Sequence, residues 1–150
     1  MPELKRILLV EDSKQDVELT LNALEEHRLA NEVVVARDGA EALDYLYRRG
    51  KFSARADGEP GVVFLDLKLP KVDGLEVLRQ MKSDERFKFV PVVVLTSSRE
   101  EQDLARSYQL GGNAYVVKPI DFQQFTATIK ELGLFWAVIN EAPRSFKSPG

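Results

Sequence analysis

The sequence contains no cysteine. Disulfides, thiolate metal sites and a cysteine nucleophile are excluded together, and the absence agrees with a reducing compartment, the cytosol being the expected location. Histidine occurs once, as His27. It falls near the expected end of the first helix, where it reads as a solvated residue favourable to the helix dipole and not as a phosphate carrier. Long apolar runs are also missing. The run "ILLV" after "MPELKR" is too short for a signal-peptide core, and no window approaches the roughly 20 apolar residues of a membrane span. The chain is therefore expected to be neither targeted nor anchored. A large excess of charge of one sign is missing as well: 24 acidic residues stand against 21 basic ones, with Lys and Arg scattered, so nucleic acid has no electrostatic footprint to meet. At 150 residues the chain has the size of one ordinary domain, which buries roughly 68–70% of its extendable surface.

What is present is a set of short apolar runs: "ILLV" at Ile7 to Val10, "VVVA" at Val33 to Ala36, "VVFL" at Val62 to Leu65, "VVVL" at Val92 to Leu95 and "YVV" at Tyr115 to Val117. Continuous β-branched runs mark strands buried on both faces, as in a parallel sheet covered by helices. Helical spacing fills the gaps, with Val17, Leu21 and Leu24, then Ala42, Leu43 and Leu46, then Val77, Leu78 and Met81. Ser98 can cap a further helix and Gly111 can stop it. A last helix is expected from about Asp121, with Phe125, Ile129 and Leu132 on one face.

Five alternations of strand and helix predict an α/β fold, a doubly wound five-stranded parallel sheet of strand order 2-1-3-4-5. Two segments exceed a minimal domain of this kind. Arg48 to Gly61 is long for a helix-to-strand connection and reads as a mobile surface loop. The C-terminal extension, residues 134–150 after a domain of residues 1–133, carries Phe135, Trp136, Val138 and Ile139, which either cover the sheet edge or form a dimer contact. It is too short to be an output domain.

Ligands in doubly wound sheets bind outside the carboxyl ends of the strands at the switch point. Glu11 and Asp12 close the first strand, and Asp66 in "VVFLDLKLPKVDG" closes the third. Three carboxylates in one cleft stay ionised together only around a cation, and all-oxygen ligands select a hard ion, with Mg²⁺ the best fit. Thr96 ends the fourth run with a hydroxyl donor and Lys118 ends the fifth with a point positive charge. The set suits phosphoryl transfer to a carboxylate, with Asp66, alone on the central strand, as nucleophile. Lys118 precedes Pro119, and a cis bond there would aim the ammonium into the cleft. Asp73 with Gly74 reads as a turn and helix start without a phosphate role. Tyr115 could be core packing on its residue type alone.

The order "VED", "FLDLKLPKVDG", "LTSS" and "NAYVVKP" resembles the receiver domain of two-component response regulators, over about Lys5 to Leu132. The resemblance implies phosphorylation at Asp66 and metal ligation by Asp12, Asp66 and the carbonyl of Lys68, with Glu11 an outer-shell metal partner. It also implies that Thr96 is the switching hydroxyl, Tyr115 the switching aromatic and Lys118 the phosphate contact. The loop before the third strand, "LPKVDGLEVL" and the C-terminal "FW" resemble the single-domain regulators that partner phytochrome-type histidine kinases. The resemblance implies a sensor histidine kinase of the bacteriophytochrome type as partner, and the last helix with the aromatic tail suggests a second copy of the chain in a homodimer. Where the family often has a neutral or apolar residue two positions after the phosphoacceptor, this chain has Lys68.

Three rival functions use the same residues. A Mg²⁺-dependent phosphatase with an aspartate nucleophile would need, in the haloacid dehalogenase arrangement, a second Asp where Lys68 stands, which argues against turnover on outside substrates. A flavodoxin-like binding module needs Ser, Thr and Gly donors after the first strand, and "EDSKQD" is acidic. A pseudo-receiver scaffold would not need the five positions intact. Within the receiver reading, signalling passes through a partner or the chain acts as a phosphate sink in a relay.

Overall fold

The computed structural model describes residues 6–26, 33–56, 58–96, 106, 109–111 and 114–117. Strands β1 (Ile7–Val10), β2 (Val33–Ala36), β3 (Val62–Leu65), β4 (Val92–Thr96) and β5 (Ala114–Val117) alternate with helices α1 (Lys14–Glu26), α2 (Gly39–Tyr47) and α3 (Gly74–Ser83). The strands form one sheet in the order β2-β1-β3-β4-β5, every pair parallel. All five apolar runs are therefore strands, in the expected order.

Burial explains why these runs are continuous. Every residue of β1 and β3 is buried, whereas the edge strand β2 is buried fully only at Ala36. Side chains alternate across a pleated sheet, so Leu8, Val10, Val63, Leu65, Val92 and Val94 meet α2 and α3 in one core. Their neighbours Ile7, Leu9, Phe64 and Val93 are no less buried, and only a sheet covered on both faces can do this. The helical spacing is placed as expected, with Ala42, Leu43, Leu46, Val77, Leu78 and Met81 all in that core.

Helix starts follow their caps. Ser13 Oγ accepts the Asp16 amide at 3.2 Å, Asp38 Oδ1 accepts that of Glu41 at 2.7 Å, and Asp73 Oδ1 accepts that of Leu75 at 2.7 Å. Each cap sits just past a strand or its loop, so each helix begins at the carboxyl edge of the sheet. Gly111 has φ 100°, after a helical bond from Leu110 N–H to the Arg106 carbonyl, which is the left-handed stop expected there. Ser98, His27, the last helix and the extension lie outside the described residues.

The Arg48–Gly61 connection differs from expectation. Instead of a loose loop it contains a 3₁₀ turn, Gly50–Phe52, and Arg55, whose side chain is largely covered. Arg55 Nε donates to the Tyr45 carbonyl at 3.0 Å and its Nη1 to Gly58 at 3.0 Å, while the guanidinium lies 4.1 Å from the Tyr45 ring centroid. Glu59 faces Arg48 at 3.6 Å and Arg55 at 3.8 Å. The charges that read as a solvated loop are spent on fastening it to α2.

Candidate phosphoacceptor and metal site

The switch point lies between β1 and β3, because the chain leaves β1 for one side of the sheet and returns on the other. Backbone bonds hold the two strand ends there. Asp66 N–H donates to the Val10 carbonyl at 3.0 Å, and Glu11 N–H donates to the Ala36 carbonyl at 3.0 Å. The residues after the strands are thus in register, and their carboxylates converge. Glu11, Asp12 and Asp66 each present an oxygen within 4.8 Å of the others. Glu11 and Asp66 are buried, and Asp12 is exposed.

Local bonds orient two of the three. The Ser13 amide donates to Glu11 Oε2 at 3.2 Å, so the residue that caps α1 also holds the Glu11 carboxylate. The Lys68 amide donates to Asp66 Oδ1 at 3.1 Å and fixes the rotation of the acid. Lys68 itself is exposed. Gly74, read from sequence as a plain helix start, has a closer part in the site. Its N–H donates to the Leu67 carbonyl at 2.9 Å, and a Cβ on it would lie 2.2 Å from the Asp66 carbonyl oxygen. Only glycine lets α3 begin this close to the Asp66 backbone.

Thr96 closes β4, paired with Val117, and Tyr115 pairs with Val94 on β5, so both stand on strands beyond β3. Lys118 and Pro119 lie outside the described residues. The structure therefore brings together Glu11, Asp12 and Asp66, with Lys68 on the same loop. Sequence reasoning missed Ser13 and Gly74 as parts of the site. The cap signal "DSKQD" and the Asp–Gly pair were legible, but which backbone a glycine approaches is a tertiary fact.

The donor set fits a hard divalent cation. Three carboxylate oxygens at this spacing can share one ion, and all three are hard oxygen donors. An acidic cluster at the switch point of a doubly wound sheet, with a lone aspartate just past the central strand, fits the receiver class of signalling proteins. Comparison with known proteins agrees. Residues 7–130 match the model of the response regulator receiver domain, and the chain belongs to that family. It is similar to the solved structure of the bacteriophytochrome response regulator RtBRR, with 64% identity and a TM-score of 0.77 over 90% of this chain and 81% of that one. Among curated relatives, the probable methanogenesis regulatory protein FilR2 of Methanothrix harundinacea is 42% identical over 91% of this chain and 86% of its own length. Response regulator Rcp1 of Synechocystis sp. is 38% identical over 88% of each chain. The Mn²⁺-bound structure of Rcp1 aligns with a TM-score of 0.79 and 37% identity over 89% of this chain and 95% of that one. Receiver domains are signalling switches. Among the described residues no helix is long and apolar enough to cross a membrane.

Proposed function

We propose that the chain is a phosphorylation-controlled switch whose Asp66 accepts a phosphoryl group from the phosphohistidine of a sensor histidine kinase, with a bacteriophytochrome as that kinase. The observation that carries the reading is the meeting of the Glu11, Asp12 and Asp66 carboxylates within 4.8 Å at the switch point. The similarity to the bacteriophytochrome response regulator RtBRR supports the phytochrome partner.

In this reading Asp12, Asp66 and the carbonyl of Lys68 would hold Mg²⁺, with Glu11 supporting them as the outer partner. When bound, the ion neutralises the acidic cluster and the oxygens of the incoming phosphoryl group. An Asp66 carboxylate oxygen attacks phosphorus in line. The oxygen–phosphorus bond forms as the phosphorus–nitrogen bond of the phosphohistidine breaks. The electron pair returns to the imidazole nitrogen, which takes a proton from solvent. The Lys68 amide, already 3.1 Å from Asp66 Oδ1, presets the carboxylate so that little reorientation is needed during the reaction.

Lys118, placed by the Lys118–Pro119 bond, contacts the phosphoryl oxygens. Thr96 then donates to them, Tyr115 turns into the space left behind Thr96, and the surface around β5 changes its partners. A homodimer through residues 134–150 and the last helix is the assembly so controlled. Phosphoryl uptake and loss at its own Asp66 are the only chemistry assigned to the chain, acting in the cytoplasm, without nucleic acid or membrane. The similarity to FilR2 supports one alternative, a receiver or phosphate sink fed by another class of sensor kinase.

Phosphotransfer from a panel of autophosphorylated histidine kinases, a bacteriophytochrome among them, tests the reading, with and without Mg²⁺. Rapid Mg²⁺-dependent labelling from the phytochrome kinase is expected. Preference for another kinase would keep the switch and remove the phytochrome partner, and no labelling from any kinase would contradict both.

A further inference from the structure

We infer that Gly39, the first residue of α2, is a positioning residue for Asp66: its lack of a side chain lets α2 dock on the β3–α3 loop and so fixes the phosphoacceptor. The inference rests on the role proposed for Asp66. Gly39 belongs to no group of acidic or phosphate-binding residues in the sequence and reaches the site only through backbone.

The loop from Asp66 to Gly74 is wedged between two helix starts. On one side Gly74 packs on the Asp66 and Leu67 backbone. On the other, a Cβ on Gly39 would lie 1.8 Å from the Val72 carbonyl oxygen and 2.8 Å from Val72 Cβ. The Gly39 backbone takes no positive φ among the described residues, so space rather than conformation demands glycine here. The contact is also bonded: Gly39 N–H donates to the Pro70 carbonyl at 3.4 Å, and the α2 cap Asp38 pairs with Lys71 at 3.6 Å. Lys71 holds φ 67°, a conformation a lysine adopts only when its surroundings impose it. The loop is therefore set from α2 as well as from β3. Any side chain at position 39 must push Val72 back by about 1 Å, a displacement that would cost a well-oriented reaction about a hundredfold if it reached the reacting atoms in full and less as the loop absorbs part of it.

Wild type, Gly39→Ala and the control Gly58→Ala are compared, since an added Cβ at Gly58 meets nothing within 4 Å. Two readouts are taken on folded protein well below its melting temperature. One is amide hydrogen exchange at Gly74 in the absence of metal, which reports the bond to the Leu67 carbonyl. The other is the Mg²⁺-dependent rate of Asp66 labelling by acetyl phosphate. Gly39→Ala is expected to speed Gly74 exchange and slow labelling, each about tenfold, with Gly58→Ala unchanged in both. A folded Gly39→Ala protein with wild-type exchange and labelling would overturn the inference. Should wild type itself fail to label, the proposed role of Asp66 fails, while the metal-free exchange still decides whether Gly39 sets the loop. If Gly39→Ala does not fold, Lys71→Met decides. Coulomb's law alone makes loss of the Lys71 positive charge tighten Mg²⁺ binding, whereas a loop loosened by loss of its pair with Asp38 weakens it, here by about twofold. Tighter binding would overturn the inference.

Discussion

Asp66 is buried to 6% exposure beside Glu11 at 3%, an arrangement that works against folding unless something compensates it. Sites carry such costs where chemistry needs them, and among the described residues no other acidic residue is buried to this degree. Glu41, in the first turn of α2, is one whose charge is favoured. Burial works to raise its carboxyl, but the Lys51 ammonium and the Arg37 amide outweigh it and hold the group below its ordinary 4.5. The unfolded chain then binds a proton more readily than the folded one, so Glu41 contributes stability above 4.5 that is lost as the pH falls through its lower folded value. Urea unfolding at about pH 6 and about pH 3.5 is expected to show a smaller loss of stability in Glu41→Gln than in wild type. Equal losses in the two proteins would remove this account. At this scale the sequence was informative about Asp66, Glu11 and Asp12, which stand at the ends of apolar runs. It was silent about Gly39 and gave Gly74 only as a turn and helix start, since a glycine in sequence does not say whether it also serves a close contact.

Elements were legible where periodicity was strong and less so where charge did structural work. The strands and the inward faces of α2 and α3 follow directly from apolar spacing. The Arg48–Gly61 connection does not, because a guanidinium donating to backbone carbonyls has no periodic signature. Arg55 retains only 7% side-chain exposure and covers the Tyr45 ring, so it acts as core as much as charge. Lys82 does similar work at the end of α3, where its ammonium donates to the Lys88 carbonyl at 3.1 Å and the Val90 carbonyl at 2.6 Å. Burial lowers its pKa. Arg55→Ala is expected to cost about 1–3 kcal/mol by chemical denaturation, through lost packing and carbonyls left without their donor. Arg55→Lys should restore only part of it, because an ammonium cannot reproduce the planar fork and the ring stacking together. A loss within about 0.5 kcal/mol for Arg55→Ala would instead return this segment to the loose surface loop that its composition suggests.

For the whole molecule, strand order followed from the alternation of elements and the handedness of crossovers, and the position of the site followed from strand order. The convergence of three carboxylates within 4.8 Å is a consequence of register, since β1 and β3 end level at Val10 and Leu65. Topology could predict their common edge but not that distance. The assembly proposed through residues 134–150 rests on apolar composition, which suits an apolar tail covering its own sheet as well as one covering a second chain. The central claim is that Asp66 itself carries the phosphoryl group. Its most direct test is site mapping after incubation with acetyl phosphate and Mg²⁺: mass spectrometry of wild type and Asp66→Asn, before and after hydroxylamine. One added phosphoryl group on the peptide containing Asp66, removed by hydroxylamine as an acyl phosphate must be and absent from Asp66→Asn, is the expected result. Labelling at another residue, or equal labelling of both proteins, would contradict it.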